Sequence, residues 1–455
     1  MENSKIYIQN FVGKKIHMVG IGGSSMSGLA KMLLKMGYQV SGSDNTQSHA
    51  TQELEKIAIP VAIGHKESNV TDADLLIFSG AIAKDNPEII KAQSLQIPIM
   101  ERSELLGQLM KMYHQSIAVA GTHGKTTVTG MLGKILLDAQ LDPTIHIGGE
   151  FDYIGGSTHI GTNALFVAEA CEFRSSFLYM NPTIALILNI EEDHLDYYKD
   201  IAAIEDAFLS FMTLIPENGL LIGNGDDQRV KKLLEQSEKP FITFGLSKEN
   251  HWYPDPLEYD SNGRASFTLM KQGLPHGTVS LQVPGAFNVL NALAALVTAY
   301  YVKADMAVSC ASISTFTGVH RRFEKTGVID GVTLYHDYGH NPTEMKNIID
   351  VAKMQPHNRL WAVMQPHTYS RVKGLFQDYL TCTSNADITL VTDIYGAREK
   401  DPGDIHASMI VEGMKDHGVQ AHLTPSFDDT EEYLRTHWQP GDLVITMGCG
   451  NINLL

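Results

Sequence analysis

The sequence predicts an α/β protein with three domains, and three observations lead to that prediction. Apolar strands alternate with amphipathic helices, which is the pattern of parallel sheets joined by right-handed crossovers. This alternation restarts near Gln115 and again near Val319. A chain of 455 residues is also too long for a single hydrophobic core. We therefore expect three α/β domains that span residues 1–113, 114–318 and 319–455.

The composition argues against several classes of protein. The formal net charge of −17 disfavours a general nucleic-acid or membrane surface, because both partners are polyanionic. The longest apolar stretch, residues 184–190, is far too short to span a bilayer. The chain has four cysteines: Cys171, Cys310, Cys382 and Cys449. Their wide spacing disfavours disulfides or a zinc site and favours reduced thiols. We expect a cytoplasmic protein that neither binds nucleic acid nor inserts into a membrane.

The first block opens with a strand, a glycine-rich turn and a helix. The predicted elements are a strand at Lys14–Gly20, a helix at about Ser25–Met36, and strands at Tyr38–Asp44 and Ala73–Gly80. The turn GIGGSSMSG, residues 20–28, is close to the dinucleotide fingerprint of Rossmann-like domains, with Ser25 at the third glycine position. It predicts a site for a nucleotide phosphate, with Asp44 at the end of the next strand. A tight turn without a ligand is the alternative, and this loop alone is also consistent with an NAD site.

A second phosphate-type loop follows the strand that starts near Gln115. It comprises Gly121, Thr122, His123, Gly124, Lys125, Thr126 and Thr127. Glycines let backbone N–H groups turn toward phosphate oxygens, and the N-terminus of the following helix adds a partial positive charge. The lysine of such a loop reaches the outer phosphates, and the adjacent hydroxyl can ligate Mg²⁺. The full pattern would require a glycine where the chain has Val119, so this is the shortened GTxGKT form. The alternative is an ordinary glycine turn before a helix.

Acidic residues and a histidine follow two further predicted strands, Leu165–Ala170 and Pro182–Ile190. They are Glu169, Glu172, Asp193, His194 and Asp196. Carboxylates, a threonine hydroxyl and an imidazole can together hold Mg²⁺ that also keeps waters and phosphate oxygens. The sequence does not decide between Glu169 and Glu172, and we favour Glu169 because it directly follows the strand.

Two asparagines lie on the first turns of a predicted helix, Pro284–Tyr300. The amides of Asn288 and Asn291 suit the edge of a purine, whereas helix capping by Asn288 is an equally good explanation. Before this helix, residues 250–283 interrupt the α/β alternation and predict a small antiparallel insert.

The third block carries basic side chains near the ends of its predicted strands. Adjacent Arg321 and Arg322 suit a transferring phosphate, because guanidinium groups donate two hydrogen bonds at once. A surface charge pair is the alternative. His340, His367 and Arg371 follow other strands and suit an anionic substrate.

Taken together, these segments resemble the Mur ligase family nearly from end to end. The most telling are GIGGSSMSG, SGSD, SGAIAKDNPE, GTHGKTT, DHLD, NVLNALAA, GVHRRFE, DYGHNPTE and QPHTYSR. The phosphate loop marks the family as a whole, and the GIGG and AIAKDNPE segments point to its alanine-adding member. The resemblance implies an ATP- and Mg²⁺-dependent amide ligase of peptidoglycan synthesis that joins L-alanine to UDP-N-acetylmuramate. Whether it acts as a monomer or a homodimer is left open.

The resemblance also implies roles for individual residues. It implies a Rossmann-like UDP-sugar domain, a central P-loop ATPase-type domain and a Rossmann-like C-terminal ligase domain. ATP would contact residues 121–127, Asn288, Asn291, Arg322 and Asp337. Mg²⁺ would be held by Thr126, Glu169 and His194. The UDP-sugar and substrate side would include Gly20, Gly22, Gly23, Ser24, Ser25, Met26, Ser27, Asp44 and His340. Catalysis would fall to Lys125, His194, Arg322, His367 and Arg371.

The chain departs from the family pattern at a few positions. Phe287 stands where the family often has histidine, His336 and Asn341 alter its DDY(G/A)HHP motif, and Ser25 replaces a glycine in its GSGM turn.

One alternative function is that of the related ligase that adds a recycled peptide to the same sugar nucleotide. Folylpolyglutamate synthase lacks the first domain, and an NAD oxidoreductase leaves GTHGKTT unexplained. A catalytically inactive nucleotide-binding regulator is disfavoured by the intact Lys125, Thr126, Glu169 and His194.

Overall fold

A computed structural model describes residues 6–194, 197–397 and 399–455 and contains three sheets, which confirms the predicted α/β class. Continuous apolar runs form the inner strands, because these strands are covered on both faces. Within the described ranges, no helix combines the length and the apolar character that crossing a bilayer requires.

The first sheet has five parallel strands. They are β1 (Lys15–Val19), β2 (Gln39–Asp44), β3 (Val61–Ile63), β4 (Leu75–Phe78) and β5 (Ile99–Glu101). Four helices accompany them: α1 (Ser24–Lys35), α2 (His49–Lys56), α3 (Pro87–Ser94) and α4 (Arg102–Met110). The order β3-β2-β1-β4-β5 reverses direction at β1. Such a reversal opens a crevice at the carboxyl ends of the strands, where the GIGG turn lies.

The second sheet has ten strands. They are β6 (Gln115–Ala120), β7 (Thr144–Phe151), β8 (Gly156–His159), β9 (Leu165–Ala170), β10 (Ile184–Ile187), β11 (Leu220–Asn224), β12 (Phe241–Phe244), β13 (Trp252–Tyr259), β14 (Arg264–Lys271) and β15 (Leu274–Pro284). Their order is β15-β14-β13-β12-β11-β10-β6-β9-β7-β8, with antiparallel pairing at both ends. The predicted antiparallel insert is therefore confirmed, and it extends the central sheet. The β7–β8 hairpin was not predicted from the sequence.

Helices on both faces cover the second sheet. They are α5 (Lys125–Asp138), α6 (Ile201–Thr213), α7 (Gln228–Gln236), α8 (Ala286–Tyr301) and α9 (Met306–Ile313). The helix α8 is apolar on nearly every side because it packs in the interior against α5.

The third sheet has six strands. They are β16 (Glu324–Ile329), β17 (Val332–Asp337), β18 (Leu360–Met364), β19 (Ile388–Val391), β20 (Ala421–Leu423) and β21 (Leu443–Met447). The helices are α10 (Pro342–Lys353), α11 (Tyr369–Gly374), α12 (Phe376–Tyr379), α13 (Ala407–Asp416) and α14 (Phe427–His437). The order is β16-β17-β21-β18-β19-β20, and β16 is an antiparallel edge strand that the sequence analysis did not predict.

The register of the central strands places their ends together. Ala120 of β6 pairs with Ala170 of β9 and with Ile187 of β10. The chain therefore leaves all three parallel strands at one edge of the sheet. The phosphate loop and the acidic segments after β9 and β10 consequently meet there.

Candidate active site

The phosphate loop is held in shape by the segment that follows β10. The His123 N–H donates to Asn189 Oδ1 at 2.8 Å, and Asn189 Nδ2 donates back to the His123 carbonyl at 3.2 Å. Gly124 has a φ of 85°, a left-handed conformation that suits glycine, and it precedes the first residue of α5. The loop is thus a rigid strand–turn–helix connection of the phosphate-binding kind.

Lys125 lies inside this loop and is paired with a carboxylate. Its ammonium donates to the carbonyl oxygens of Gly121 and Thr122, and to Glu172 Oε2 and Oε1 at 2.9 and 3.2 Å. Burial acts to lower the pKa of Lys125, but the charge of Glu172, its hydrogen bond to the ammonium and the charge of Glu169 act together to raise the pKa. The lysine therefore keeps its positive charge in a largely buried place.

Three potential metal ligands lie beside that lysine. Glu172, Asp193 and His194 each offer a ligand atom, and these atoms lie within 4.8 Å of one another. His194 Nε2 is 3.9 Å from Glu172 Oε1 and 3.8 Å from Asp193 Oδ2. Two carboxylates with room for further oxygen ligands match the preferences of Mg²⁺. Asp196, which the sequence grouped with these residues, lies outside the described residues.

Glu169 lies on β9, between Gly148 and Thr126, and its assignment as a metal ligand stays a prediction. Its Oε1 accepts from the Gly148 N–H at 2.7 Å, and a Cβ on Gly148 would come within 2.8 Å of Oε2. Burial raises the pKa of Glu169, opposed by the Gly148 N–H, by the charges of Arg322 and Lys125, and by a hydrogen bond from Thr126. The carboxylate that groups with His194 is therefore Glu172, whereas Glu169 lies beside Thr126.

The two asparagines of α8 are tied to one another. Asn291 Nδ2 donates to Asn288 Oδ1 at 3.1 Å, and Asn288 Nδ2 donates to the Pro284 carbonyl at 2.7 Å. The N-cap residue of α8 is Gly285, and no side chain caps this helix, so Asn288 is not its cap. A Cβ on Gly124 would lie 2.7 Å from Asn291 Oδ1, so the phosphate loop packs directly against this helix.

The adjacent arginines of the third block have separate positions. Arg321 donates to the carbonyls of Gly448 and Gly450 at 3.2 and 3.1 Å and to His336 Nε2 at 3.0 Å. Arg321 therefore holds the third domain together. Both residues line the larger cavity, with their guanidinium groups 4.7 and 5.1 Å from the ring centre of Tyr338, but only Arg322 also lines the smaller, adjoining cavity.

Asp337 is buried at the end of β17. Its carboxylate accepts from the N–H groups of Phe323 and Gly339, each at 2.6 Å. Burial raises the pKa of Asp337 to about 6, although the charge of Arg322 acts in the opposite direction. Asp337 thus shapes the turn that carries Arg322 toward the cleft.

Two histidines and an arginine meet at the ends of β17 and β18. Arg371 Nη1 donates to His367 Nδ1 at 2.9 Å, and the rings of His340 and His367 are 5.5 Å apart. Burial lowers the pKa of His340 to about 4 and that of His367 to about 3. Both rings are therefore neutral near pH 7, and Arg371 alone supplies positive charge to an anion here.

Several ion pairs connect the central and third domains, and two of them lie beside the phosphate loop and the metal-ligand cluster. His123 Nδ1 is 2.9 Å from Glu344 Oε1, and Arg371 Nη2 donates to Asp193 Oδ1 at 2.8 Å. Burial acts to lower the pKa of His123, but Glu344 and Glu191 raise it to about 10. Burial would raise the pKa of Asp193, whereas Arg371 and His194 hold it well below its usual range. The phosphate loop and the metal-ligand cluster are thus each tied to the third domain.

The first-domain loop is only partly accessible. The Gly22 N–H donates to Asp44 Oδ2 at 2.9 Å, which ties the turn to the end of β2. Gly23 and Ser24 are exposed, but Met26 and Ser27 are buried. The side chains of Met26 and Ser27 therefore pack in the interior, so a contact of these two residues with a diphosphate would come from their backbone N–H groups, and their assignment to the substrate stays a prediction.

Two adjoining cavities of about 1470 and 1090 Å³ share His123, Gly124 and Arg322 in their linings. The larger cavity gathers predicted site residues from all three blocks, namely Ser24, Thr122, Lys125, Thr126, Glu169, His194, His340, His367 and Arg371. The smaller one gathers Thr127, Asn288, Asn291 and Asp337. Neither lining includes Gly20, Gly22, Gly23, Ser25, Met26, Ser27, Asp44 or Gly121.

Sequence reasoning missed some residues that build the site. Asn189 is the polar residue within the apolar stretch 184–190, and its polarity there was the available signal. Glu344 is the third residue of α10 and forms a capping box with Asn341. Its second role, facing His123, has no local signal because 221 positions separate the two residues.

The fold and the site define a multidomain nucleotide-dependent enzyme whose reacting groups meet between domains. Three family models match consecutive segments: "Mur ligase family, catalytic domain" at residues 15–114, "Mur ligase middle domain" at 119–299, and "Mur ligase, glutamate ligase domain" at 321–450. The chain belongs to the Mur ligase family, which confirms the resemblance drawn from its motifs.

Individual relatives share nearly the whole chain. A UDP-N-acetylmuramate–L-alanine ligase of Acetivibrio thermocellus is 46% identical over 440 residues, covering 96% of this chain and 94% of that protein. One of Clostridium botulinum is 43% identical over 439 residues, covering 96% of each. Among solved structures, a UDP-N-acetylmuramate–alanine ligase of Thermotoga maritima matches with a TM-score of 0.81 at 27% identity, covering 97% of each chain. A murein peptide ligase of Psychrobacter arcticus matches with a TM-score of 0.74 at 26% identity, covering 97% of this chain and 96% of that one.

Replacing Glu344 with glutamine tests the ion pair between the central and third domains. Glutamine retains the shape and the capping-box position but removes the charge that faces His123. We expect the contact between the two domains to weaken by about 2 kcal/mol, seen as a larger radius of gyration in small-angle scattering.

Glu431→Gln is the matched control, because it removes an exposed pair with Arg435, 2.7 Å away within α14. Its scattering should equal that of the wild type. An unchanged radius of gyration in Glu344→Gln would mean that the His123–Glu344 pair does not hold the domains together.

Proposed function

We propose that this protein is an ATP-dependent ligase that joins L-alanine to the lactyl carboxylate of UDP-N-acetylmuramate during peptidoglycan precursor synthesis. The reaction class rests on one observation: a phosphate loop, a carboxylate–histidine cluster and cationic side chains of the third domain face a single cleft. The substrates rest on the likeness to the named relatives. We further propose that it works in the cytoplasm as a monomer or homodimer.

We assign the domains accordingly. Residues 1–113 would bind the UDP-sugar, residues 114–318 would bind ATP, and residues 319–455 would close over the reacting groups. Asn288 and Asn291 would approach adenine, because they line the smaller cavity beside the phosphate loop. Arg371 would contact an anionic substrate group, with His367 orienting its guanidinium.

The first step activates a carboxylate, which is a poor electrophile. A lactyl carboxylate oxygen attacks the γ-phosphorus of ATP, the bond to ADP breaks, and an acyl phosphate forms. Lys125 and Arg322 stabilise the charge on the transferring group, since both are held at the cleft beside the phosphate loop. Little covalent chemistry falls to the protein, whose contribution is positioning and charge.

The second step forms the amide. The neutral amine of alanine attacks the acyl carbon, the tetrahedral intermediate loses inorganic phosphate, and the amine nitrogen gives up its extra proton. The acyl phosphate must be protected from water during this step, which requires the domains to close. The pairs His123–Glu344 and Arg371–Asp193 supply contacts that hold the closed arrangement.

We propose that Mg²⁺ is held by Glu172 and His194, with Thr126 and Glu169 adjoining it. The donor set fits, because carboxylate oxygens of Glu172 and Asp193 and a ring nitrogen of His194 lie within 4.8 Å of one another, and Mg²⁺ prefers carboxylate oxygens. When bound, the ion neutralises charge on the phosphate oxygens. This assignment replaces Glu169 by Glu172 as the first carboxylate ligand, whereas the sequence alone favoured Glu169.

The reaction is tested by phosphate release from ATP and Mg²⁺ in the presence of UDP-N-acetylmuramate, with and without L-alanine. We expect release that requires both substrates and a product heavier by one alanine residue. Release only with the tripeptide L-alanyl-γ-D-glutamyl-meso-diaminopimelate would identify the peptide-adding member instead. Nucleotide binding without turnover for any acceptor would point to an inactive regulator.

Lys125→Ala should lower turnover by at least a hundredfold, since loss of one preorganised donor costs about 3–4 kcal/mol of transition-state stabilisation. Circular dichroism should show a folded variant. Lys111→Ala, which removes an exposed lysine, serves as the control and should keep wild-type turnover. Near-normal turnover in Lys125→Ala would exclude the proposed role.

The metal assignment is tested by measuring the Mg²⁺ concentration that gives half-maximal turnover. Glu172→Gln should raise it about 10- to 100-fold, because a charged ligand is lost. Glu169→Gln is the matched change on a neighbouring carboxylate and should shift it less than Glu172→Gln does, because Glu169 adjoins the ion without binding it. The reverse result would assign the metal to Glu169.

A further inference from the structure

A chain of polar side chains crosses from the first domain to the edge of the central sheet. Ser25 Oγ, on the first turn of α1, lies 2.7 Å from His146 Nε2 on β7. Arg102, the first residue of α4, donates from Nη1 to the same Ser25 oxygen at 3.1 Å. On the far side of the ring, His146 Nδ1 lies 3.0 Å from Thr158 Oγ1 on β8. Four side chains thus connect α4, α1, β7 and β8.

The directions of these hydrogen bonds follow from the chemistry of the groups. Burial and the charge of Arg102 lower the pKa of His146 to about 3, so the ring is neutral and one nitrogen accepts. Arg102 can only donate, so Ser25 Oγ accepts from it. The serine proton finds an acceptor only if it points to His146 Nε2, which leaves Nδ1–H to donate to Thr158. Loss of Ser25 would leave a buried ring nitrogen unpaired.

The backbone of α1 comes unusually close to the hairpin at this point. A Cβ on Gly28 would lie 2.0 Å from Thr158 Oγ1 and 3.3 Å from His146 Cε1. Only glycine permits this approach. The first turn of α1 is therefore seated at a defined place on β7 and β8.

The same strand, β7, also reaches the phosphate site. Ser24 Oγ donates to the Gly148 carbonyl at 3.2 Å, and the Gly148 N–H donates to Glu169 Oε1 at 2.7 Å. Glu169 lines the larger cavity together with Lys125. The first-domain loop is thus two contacts from Glu169, through Gly148, and Glu169 in turn accepts from Thr126 of the phosphate loop.

We propose that Ser25 and His146 are positioning residues. They would hold the first-domain loop, residues 20–28, which would bind the UDP-sugar, at a defined distance from the ATP site. This inference rests on the proposed function. Ser25 stands at the third glycine position of the dinucleotide fingerprint, and glycine has no hydroxyl to offer. The tie to His146 is therefore a feature that the serine of this chain adds. One end of the sugar nucleotide, the UDP group, would bind the first-domain loop, and the lactyl carboxylate at the opposite end must reach the γ-phosphate of ATP. The spacing between the two loops therefore governs productive binding.

The experiment compares Ser25→Ala, His146→Leu and the double variant with the wild-type chain. Steady-state kinetics give KM for UDP-N-acetylmuramate, and calorimetry gives the affinities for that sugar nucleotide and for ATP without turnover. We expect each single variant to raise KM and Kd for the sugar nucleotide about fivefold to tenfold, with ATP affinity within about twofold of the wild type. Because both variants break one tie, the double variant should be no more than about twofold worse than the singles.

Two further variants separate positioning from general stability. Ser25→Thr retains the hydroxyl and should restore sugar-nucleotide affinity to within about twofold of the wild type. Ser41→Ala removes a comparable serine–histidine contact, 3.1 Å from Ser41 Oγ to His17 Nδ1, that lies within the first sheet. It should leave KM for the sugar nucleotide unchanged.

Folded variants with unchanged sugar-nucleotide affinity, additive effects in the double variant, or an equal loss of ATP affinity would each overturn the inference. Failure of the proposed function would look different. In that case the wild-type chain itself would form no alanine-containing product, before any variant is made. The calorimetric comparison would still decide whether Ser25 and His146 position the loop.

Discussion

Three parallel strands of the central sheet, β6, β9 and β10, end side by side, and the rest of the site depends on that alignment. Since Ala120 is paired with both Ala170 and Ile187, the chain leaves all three strands at one edge. The phosphate loop, Glu172 and the segment from Asn189 to His194 are thereby brought within bonding distance. The buried Lys125 keeps its charge only because this alignment supplies loop carbonyls and a carboxylate around it.

Charge balance across the cleft then connects the domains. The central domain offers a cation, His123, and an anion, Asp193, while the third domain offers the opposite partners, Glu344 and Arg371. Each pair is largely buried, so separating one partner would leave a poorly solvated charge. The third domain is therefore held at the two places where phosphate and metal chemistry are proposed. Binding, closure and water exclusion become linked through the same few side chains.

The first domain is attached by a different kind of contact. Its glycine-rich turn contacts β7 and β8 through serine hydroxyls and close backbone packing, with His146 kept uncharged by burial and by the charge of Arg102. The strand β7 that receives the turn also contacts Glu169 through Gly148, so one strand adjoins both proposed nucleotide sites.

Local patterns were sufficient to predict the α/β class, the three sheets, the phosphate loop after β6 and the antiparallel insert, because each depends on residues that are neighbours in the chain. The resemblance to the Mur ligase family pointed to Lys125, His194, Arg322 and Arg371, and the structure places all four along one cavity. Local patterns did not separate Glu172 from Glu169 or the accessible Ser24 from the buried Met26. Those distinctions depend on which side of a strand or helix faces the cleft, and on partners as distant as His123 and Glu344. Only the tertiary structure brings such partners together, since their pairing follows from how the sheets pack and not from any short stretch of sequence.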